Sequence, residues 1–307
     1  MTSGAPRVAA GLALACLLGS ATAAQQVFHG RTDLVRLNVT ALDAQGRLLP
    51  GLEQGDFQVI EDGVAQEISN FARDPQPISL ALLLDTSVSM EPKLKIAQEA
   101  AIGFARRLTA KDTAEVIKFD SAAQVLQPFT GDVALLERAI RRTEAGGPTA
   151  LYNALYVAYG EFRRERARTA DDVRRQAVVL LSDGEDTSSV VPFDLVLDEA
   201  KRADVMTYAI GLRPKTTVPN RGWNEAEYVM KRIALDTGGR AHVVDDEKEL
   251  PGIYDQIAQE LANQYTIGYV SKNAKRDGAW RIVSVLVGRP GASARTKAGY
   301  FAPTTPR

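Results

Sequence analysis

Ile78-Ser79-Leu80-Ala81-Leu82-Leu83-Leu84 followed by Asp85-Thr86-Ser87-Val88-Ser89-Met90 is the stretch that decides the fold. Its first half is apolar almost throughout, without the alternation of a half-exposed strand, which marks a strand buried on both faces. Its second half turns abruptly polar. Leu94, Ala97, Ala101, Phe104 and Leu108 then recur at helical spacing, predicting a helix over 93–108. A doubly buried strand, a polar loop and an amphipathic helix form the opening unit of a parallel α/β sheet.

The same grammar continues downstream. Strands are predicted at Glu115 to Phe119, Ala177 to Leu181, Val205 to Ile210 and Ala241 to Val244. Helices are predicted near 133–142, 149–164, 192–203, 225–236 and 250–264. The alternation implies an α/β fold with a doubly wound, mostly parallel sheet over 77–264, covered by helices on both faces.

On either side the period changes to two. Val35, Leu37, Val39 and Ala41 alternate with polar residues, Phe57 and Val59 begin a second strand, and Pro75-Gln76-Pro77 closes this stretch. After Gln264 the alternation returns in Tyr265, Ile267 and Tyr269, in Trp280 to Val287 and in Thr296 to Phe301. In a doubly wound sheet the first strand starts, and the last helix ends, at the same edge. The N-terminal segment 25–76 and the C-terminal segment 265–307 are therefore expected to pack together as a β-sandwich, with the α/β domain inserted between them.

Residues 1–24 read as an address. Arg7 precedes the apolar run Val8 to Leu18, and Ala21-Thr22-Ala23 is a small-residue cleavage site. The run is shorter than the roughly 20 residues a membrane-spanning helix needs. A signal peptide and a secreted or periplasmic chain are expected, with no transmembrane span after cleavage. Cys16 offers a lipid anchor as the minor alternative, although Ala13-Leu14-Ala15-Cys16 matches a lipobox poorly.

Composition narrows the chemistry. The 307 residues carry 37 Lys+Arg against 38 Asp+Glu, a net charge of −1, so bulk charge points to no nucleic-acid partner. One Cys and two His, His29 and His242, exclude an intrachain disulfide and a four-ligand Cys/His zinc site. Any metal would be held by oxygen.

Oxygen ligands are supplied at the strand ends. Asp85, Ser87 and Ser89 leave the C-terminal end of the first parallel strand, where open α/β sheets bind ligands. Taken alone, the fragment equally reads as a turn or a helix start. Gly146-Gly147-Pro148-Thr149 leads into the next helix, where Thr149 could equally be its N-cap. Leu181-Ser182-Asp183-Gly184 ends the fourth strand, and Asp183-Gly184 could equally be only a turn. In the strand order 3-2-1-4-5-6 the first and fourth strands are neighbours, so Asp85 and Asp183 should end side by side. Two adjacent carboxylates repel unless protonated or bridged by a cation. A hard divalent ion with the hydroxyls of Ser87, Ser89 and Thr149 resolves that conflict, and Mg²⁺, which takes about six oxygens, would keep an open position.

Asp85, Ser87, Ser89, Thr149 and Asp183, in this order and context, resemble the metal-ion-dependent adhesion site of von Willebrand factor type A domains. The resemblance covers about 77–264. It implies that Ser87 and Ser89 bind Mg²⁺ (or Mn²⁺ or Ca²⁺) directly, that Asp85, Thr149 and Asp183 bind directly or through water, and that a protein partner's Asp or Glu completes the shell. The flanks Gly55-Asp56-Phe57-Gln58-Val59 and Ala298-Gly299-Tyr300-Phe301 are similar to a bacterial family of secreted proteins related to these domains, common in acidobacteria.

The expected function is thus metal-dependent protein binding, in adhesion or scaffolding, rather than catalysis. A metal-dependent hydrolase is one alternative, since an open metal position can polarise a substrate. The chain has no G-x-S-x-G, no P-loop and no H-E-x-x-H to support it. A structural envelope protein with a vestigial metal site is the other. Glu185 and Asp186 read as a solvated acidic loop beside the site, and Asp245-Asp246-Glu247 as a helix cap.

Overall fold

The computed structural model describes Met1 and residues 33–73, 76–168, 174–213 and 221–304. The expected signal peptide, its cleavage site, Cys16 and His29 lie outside the described residues.

The first segment forms β1 (Leu34–Leu42), β2 (Phe57–Glu61), β3 (Val64–Gln66) and β4 (Ile68–Ala72). The α/β region follows with β5 (Ile78–Asp85), α1 (Leu94–Ala105), β6 (Thr113–Phe119), β7 (Ala123–Thr130), α2 (Val133–Arg141) and α3 (Leu151–Arg168). It continues through β8 (Arg175–Ser182), α4 (Phe193–Ala203), β9 (Met206–Leu212), α5 (Arg221–Thr237), β10 (Ala241–Val244) and α6 (Leu250–Ala262). The chain then returns to strands in β11 (Tyr265–Val270), β12 (Trp280–Val287), β13 (Ser293–Arg295) and β14 (Gly299–Phe301).

The central sheet has six strands in the order β10-β9-β8-β5-β6-β7, parallel except for β7. The fold is the expected doubly wound α/β sheet. Every residue of β5 is buried. Leu80, Leu82 and Leu84 pack under α1, α2 and α6, whereas Ala81 and Leu83 pack under α3, α4 and α5. That two-sided burial is why the strand shows no alternation.

Several boundaries depart from the sequence reading. β7 was not anticipated, because its half-exposed, Pro128-containing segment lacks the signal of a buried strand, and an edge position tolerates the missing N–H. Of the predicted strand Thr296 to Phe301 only Gly299–Phe301 is extended, as β14, and a separate three-residue strand, β13, precedes the stretch. The helix expected from 93 to 108 spans Leu94–Ala105, and the one expected from 149 begins at Leu151.

The flanking strands interleave. One four-stranded sheet has the order β13-β1-β11-β4 and the other β14-β12-β2-β3, so each contains strands from both ends of the chain. Val35, Leu37 and Val39 of β1 share a core with Phe57 and Val59 of β2, Tyr265 and Ile267 of β11, and Val283 and Val285 of β12. These inward residues are the alternating apolar positions of the sequence, as a sandwich requires.

Candidate metal centre

The site is built at the sheet's topological switch point. β5 pairs with both β6 and β8, and its register against β8 runs to Leu84 opposite Leu181, which brings Asp85 beside Ser182. The Ser182 hydroxyl donates to Asp85 Oδ2 at 2.5 Å. On the other carboxylate oxygen, Oδ1 accepts the Ser87 N–H at 2.8 Å, turning the chain as it leaves the strand.

From there the side chains connect in series. The Ser87 and Ser89 hydroxyls are hydrogen-bonded at 3.0 Å, and the Ser89 hydroxyl donates to Asp183 Oδ1 at 2.7 Å. Lys93 Nζ pairs with Asp183 Oδ2. Asp85, Ser87 and Asp183 are 1%, 1% and 3% exposed, whereas Ser89 sits at the surface. Two carboxylates are thus held almost out of solvent within one hydroxyl-linked cluster.

Thr149 enters from a separate loop that is pinned by backbone. The Gly146 N–H donates to Thr86 O at 2.8 Å, and the Val88 N–H to Gly147 O at 3.0 Å. Gly147 has φ of 74°, a left-handed conformation that glycine adopts without a Cβ penalty. The Thr187 hydroxyl accepts the Thr149 N–H at 2.9 Å, and the N–H groups of Thr187 and Ser188 donate to Thr149 O. The Thr149 hydroxyl faces Gly184, 3.8 Å from where a Cβ on that glycine would stand. It therefore lies next to the loop that carries Asp183.

Position alone would make Thr149 the helix cap, but the structure gives that work to others. The Tyr152 N–H donates to Asp186 Oδ1 at 3.1 Å and the Asn153 N–H to the Ser189 hydroxyl at 2.9 Å. Asp186 also accepts from the Ser189 hydroxyl at 2.6 Å. The expectation of a solvated acidic loop is corrected for this residue: Asp186 satisfies the open first turn of α3 in trans. Asp246 does act as a cap, accepting the Lys248 N–H at 3.0 Å.

The electrostatics suit a cation. Burial pushes the Asp85 carboxyl up to about 6, the hydrogen bonds from Ser182 and Ser87 oppose that rise, and the nearby Asp183 charge adds to it. A divalent ion would reverse this cost. The donor set of carboxylates and hydroxyls is that of a hard, oxygen-preferring metal such as Mg²⁺, so the residues present fit the group. Asp85, Asp183, Ser87, Ser89 and Thr149 would hold it, and the bound ion would supply an electrophilic position for an anionic oxygen.

Two contributors were missed by sequence reasoning. Ser182 was visible beside Asp183 but fell just past the predicted strand Ala177 to Leu181 and was given no role of its own. Lys93 stood at the predicted helix start with no local sign of its partner. His242, one of the two histidines, lies within β10 and is buried, and burial together with the Arg240 charge lowers its pKa to about 4.

Residues 80–185 match the family model of the von Willebrand factor type A domain. Inter-alpha-trypsin inhibitor heavy chain H1 of Sus scrofa is 25% identical over 245 residues, covering 71% of this chain and 26% of that protein. Von Willebrand factor A domain-containing protein 3B of Homo sapiens is 29% identical over 168 residues, covering 52% of this chain and 11% of that protein. The chain thus spans about a quarter of the length of the first relative and about a ninth of the second. Among solved structures, a von Willebrand factor type A protein from Catenulispora acidiphila covers 90% of this chain and 76% of its own, with a TM-score of 0.52 and 15% identity.

Proposed function

We propose that this chain, which carries a von Willebrand factor type A domain between the two halves of a β-sandwich, is a divalent-metal-dependent protein-binding module. Its metal, Mg²⁺ with Mn²⁺ and Ca²⁺ as alternatives, is held by Asp85, Ser87, Ser89, Thr149 and Asp183. A carboxylate from a protein partner's Asp or Glu takes the remaining coordination position. The observation that carries this reading is the series Asp85, Ser87, Ser89 and Asp183, which joins two buried carboxylates at adjacent strand ends through the serines.

Each residue has a role in this reading. Asp85 and Asp183 supply the negative charge, Ser87 and Ser89 provide neutral oxygen ligands, and the Ser182 hydroxyl orients Asp85 from behind. Ser89, at the surface, marks the open side from which a partner approaches. Binding rather than turnover is proposed because the site presents metal ligands without an accompanying nucleophile and base. The proposed setting is the periplasm or cell exterior, supported by the leader-like stretch 1–24. Among the described residues no helix is long and apolar enough to cross a membrane.

The test uses Mn²⁺ as a paramagnetic probe. Bound Mn²⁺ with an open position should enhance water-proton relaxation, and an acidic peptide should reduce that enhancement by displacing metal-bound water. The same peptide with Asp and Glu replaced by Asn and Gln should not. Enhancement unchanged by the acidic peptide would refute carboxylate capture.

A further inference from the structure

Lys93 occupies a position that helix physics disfavours. It stands at the N-terminal cap of α1, where the positive end of the helix dipole repels a cation and an acidic or hydroxyl side chain is the usual occupant. Its side chain makes no capping hydrogen bond. Instead the ammonium group reaches across to Asp183 Oδ2, and both side chains are largely removed from solvent, with exposures of 16% and 2%. The other oxygen, Oδ1, is held by Ser89.

Asp183 thus sits in the proposed metal site with a protein cation already on it. We propose that Lys93 is a resident counter-cation, which neutralises Asp183 while the site is free of metal and is displaced when a divalent ion binds. The proposal rests on the metal-binding reading above and adds a regulatory element to it. Without any cation, Asp85 and Asp183 would leave two nearly buried negative charges close together, a costly arrangement. Lys93 lowers that cost, so the metal-free site stays folded and assembled. The same pairing must be broken, and the ammonium moved away from a divalent charge, before metal can be held. Lys93 therefore sets the affinity below what the oxygen ligands alone would give, so that occupancy responds to the surrounding divalent cation concentration.

Two measurements on the full chain test this. Calorimetric titration with Mn²⁺ should show Lys93→Met binding at least tenfold more tightly than wild type, with Lys93→Gln as the second variant should the first fold poorly. In wild type, amine acylation followed by mass spectrometry should show Lys93 modified slowly without metal and several-fold faster at saturating Mn²⁺. Equal or weaker Mn²⁺ binding by the Lys93 variants, or Lys93 acylation indifferent to metal, would overturn the proposal while leaving the metal site standing. Absence of binding in every variant would remove the metal reading and this inference together.

Discussion

Asp85 shows how one residue can be placed by forces that its own sequence context does not reveal. It ends a strand whose other members are all buried, so it is carried into the interior, where hydrogen bonds from Ser182 and Ser87 relieve it. Ser182→Ala should therefore destabilise the protein by about 2 kcal/mol in urea denaturation, as expected for a hydrogen bond to a charged group. Glu115 lacks even that relief. It is fully buried in β6, neither carboxylate oxygen has a hydrogen-bond partner among the described residues, and burial with the added repulsion of Glu161 and Glu165 pushes its pKa up to about 9. The folded value lies above the unfolded one, so its stability penalty is absent below pH about 4.5, grows as pH rises and levels off above about 9. At pH 7 the penalty is about 3 kcal/mol. Glu115→Gln should match wild type near pH 5 and melt well above it at pH 8; equal melting temperatures at pH 8 would contradict the assignment. His242 acts in the opposite sense, since its depressed pKa makes stability fall as pH drops from about 6.5 to about 4.

At the scale of elements, the loop bearing Thr149 is held from outside itself. Asp186 and Ser189 cap α3 across the site, while Thr187 holds the Thr149 backbone. Asp186→Ala should cost about 1 kcal/mol of stability, the usual loss for a helix cap, and should also weaken Mn²⁺ affinity in calorimetry by loosening Thr149. A stability loss with unchanged affinity would separate the cap from the site. The same element explains what could be read beforehand. The buried β5, the polar turn after it and the helical period of α1 are local patterns, so the fold class and the cluster around Asp85 were legible in the sequence. The partners of Asp186 and Lys93 lie 34 and 90 residues away in the chain, and no local pattern encodes such pairs. β7 was hidden for a related reason: an antiparallel edge strand needs neither continuous burial nor a full set of N–H donors, and Pro128 concealed it further.

Across the whole molecule, the two chain ends complete one another's sheets, and the α/β region is tied to them by a buried polar junction. Glu260 of α6 accepts from the Tyr208 hydroxyl at 2.6 Å and from the Thr40 hydroxyl of β1 at 3.2 Å, and it pairs with Arg295 of β13. Gln264 donates to Thr40 Oγ1 and to the Tyr208 oxygen, each at 3.2 Å. Glu260 is buried on α6 together with Tyr254, Ile257 and Leu261. Glu260→Ala should cost about 3 kcal/mol in denaturant unfolding, because it leaves the Arg295 charge partly buried without its partner. The proposed divalent-cation site, built from oxygen ligands alone, lies at the strand C-terminal ends of the central sheet. The most direct test is the melting temperature of the full chain in Mg²⁺ and in chelator, with Asp85→Ala alongside. Metal at about a hundred times its dissociation constant should add about 2.7 kcal/mol to wild-type stability and almost nothing to the variant. A wild-type melting temperature identical in metal and chelator would contradict the account.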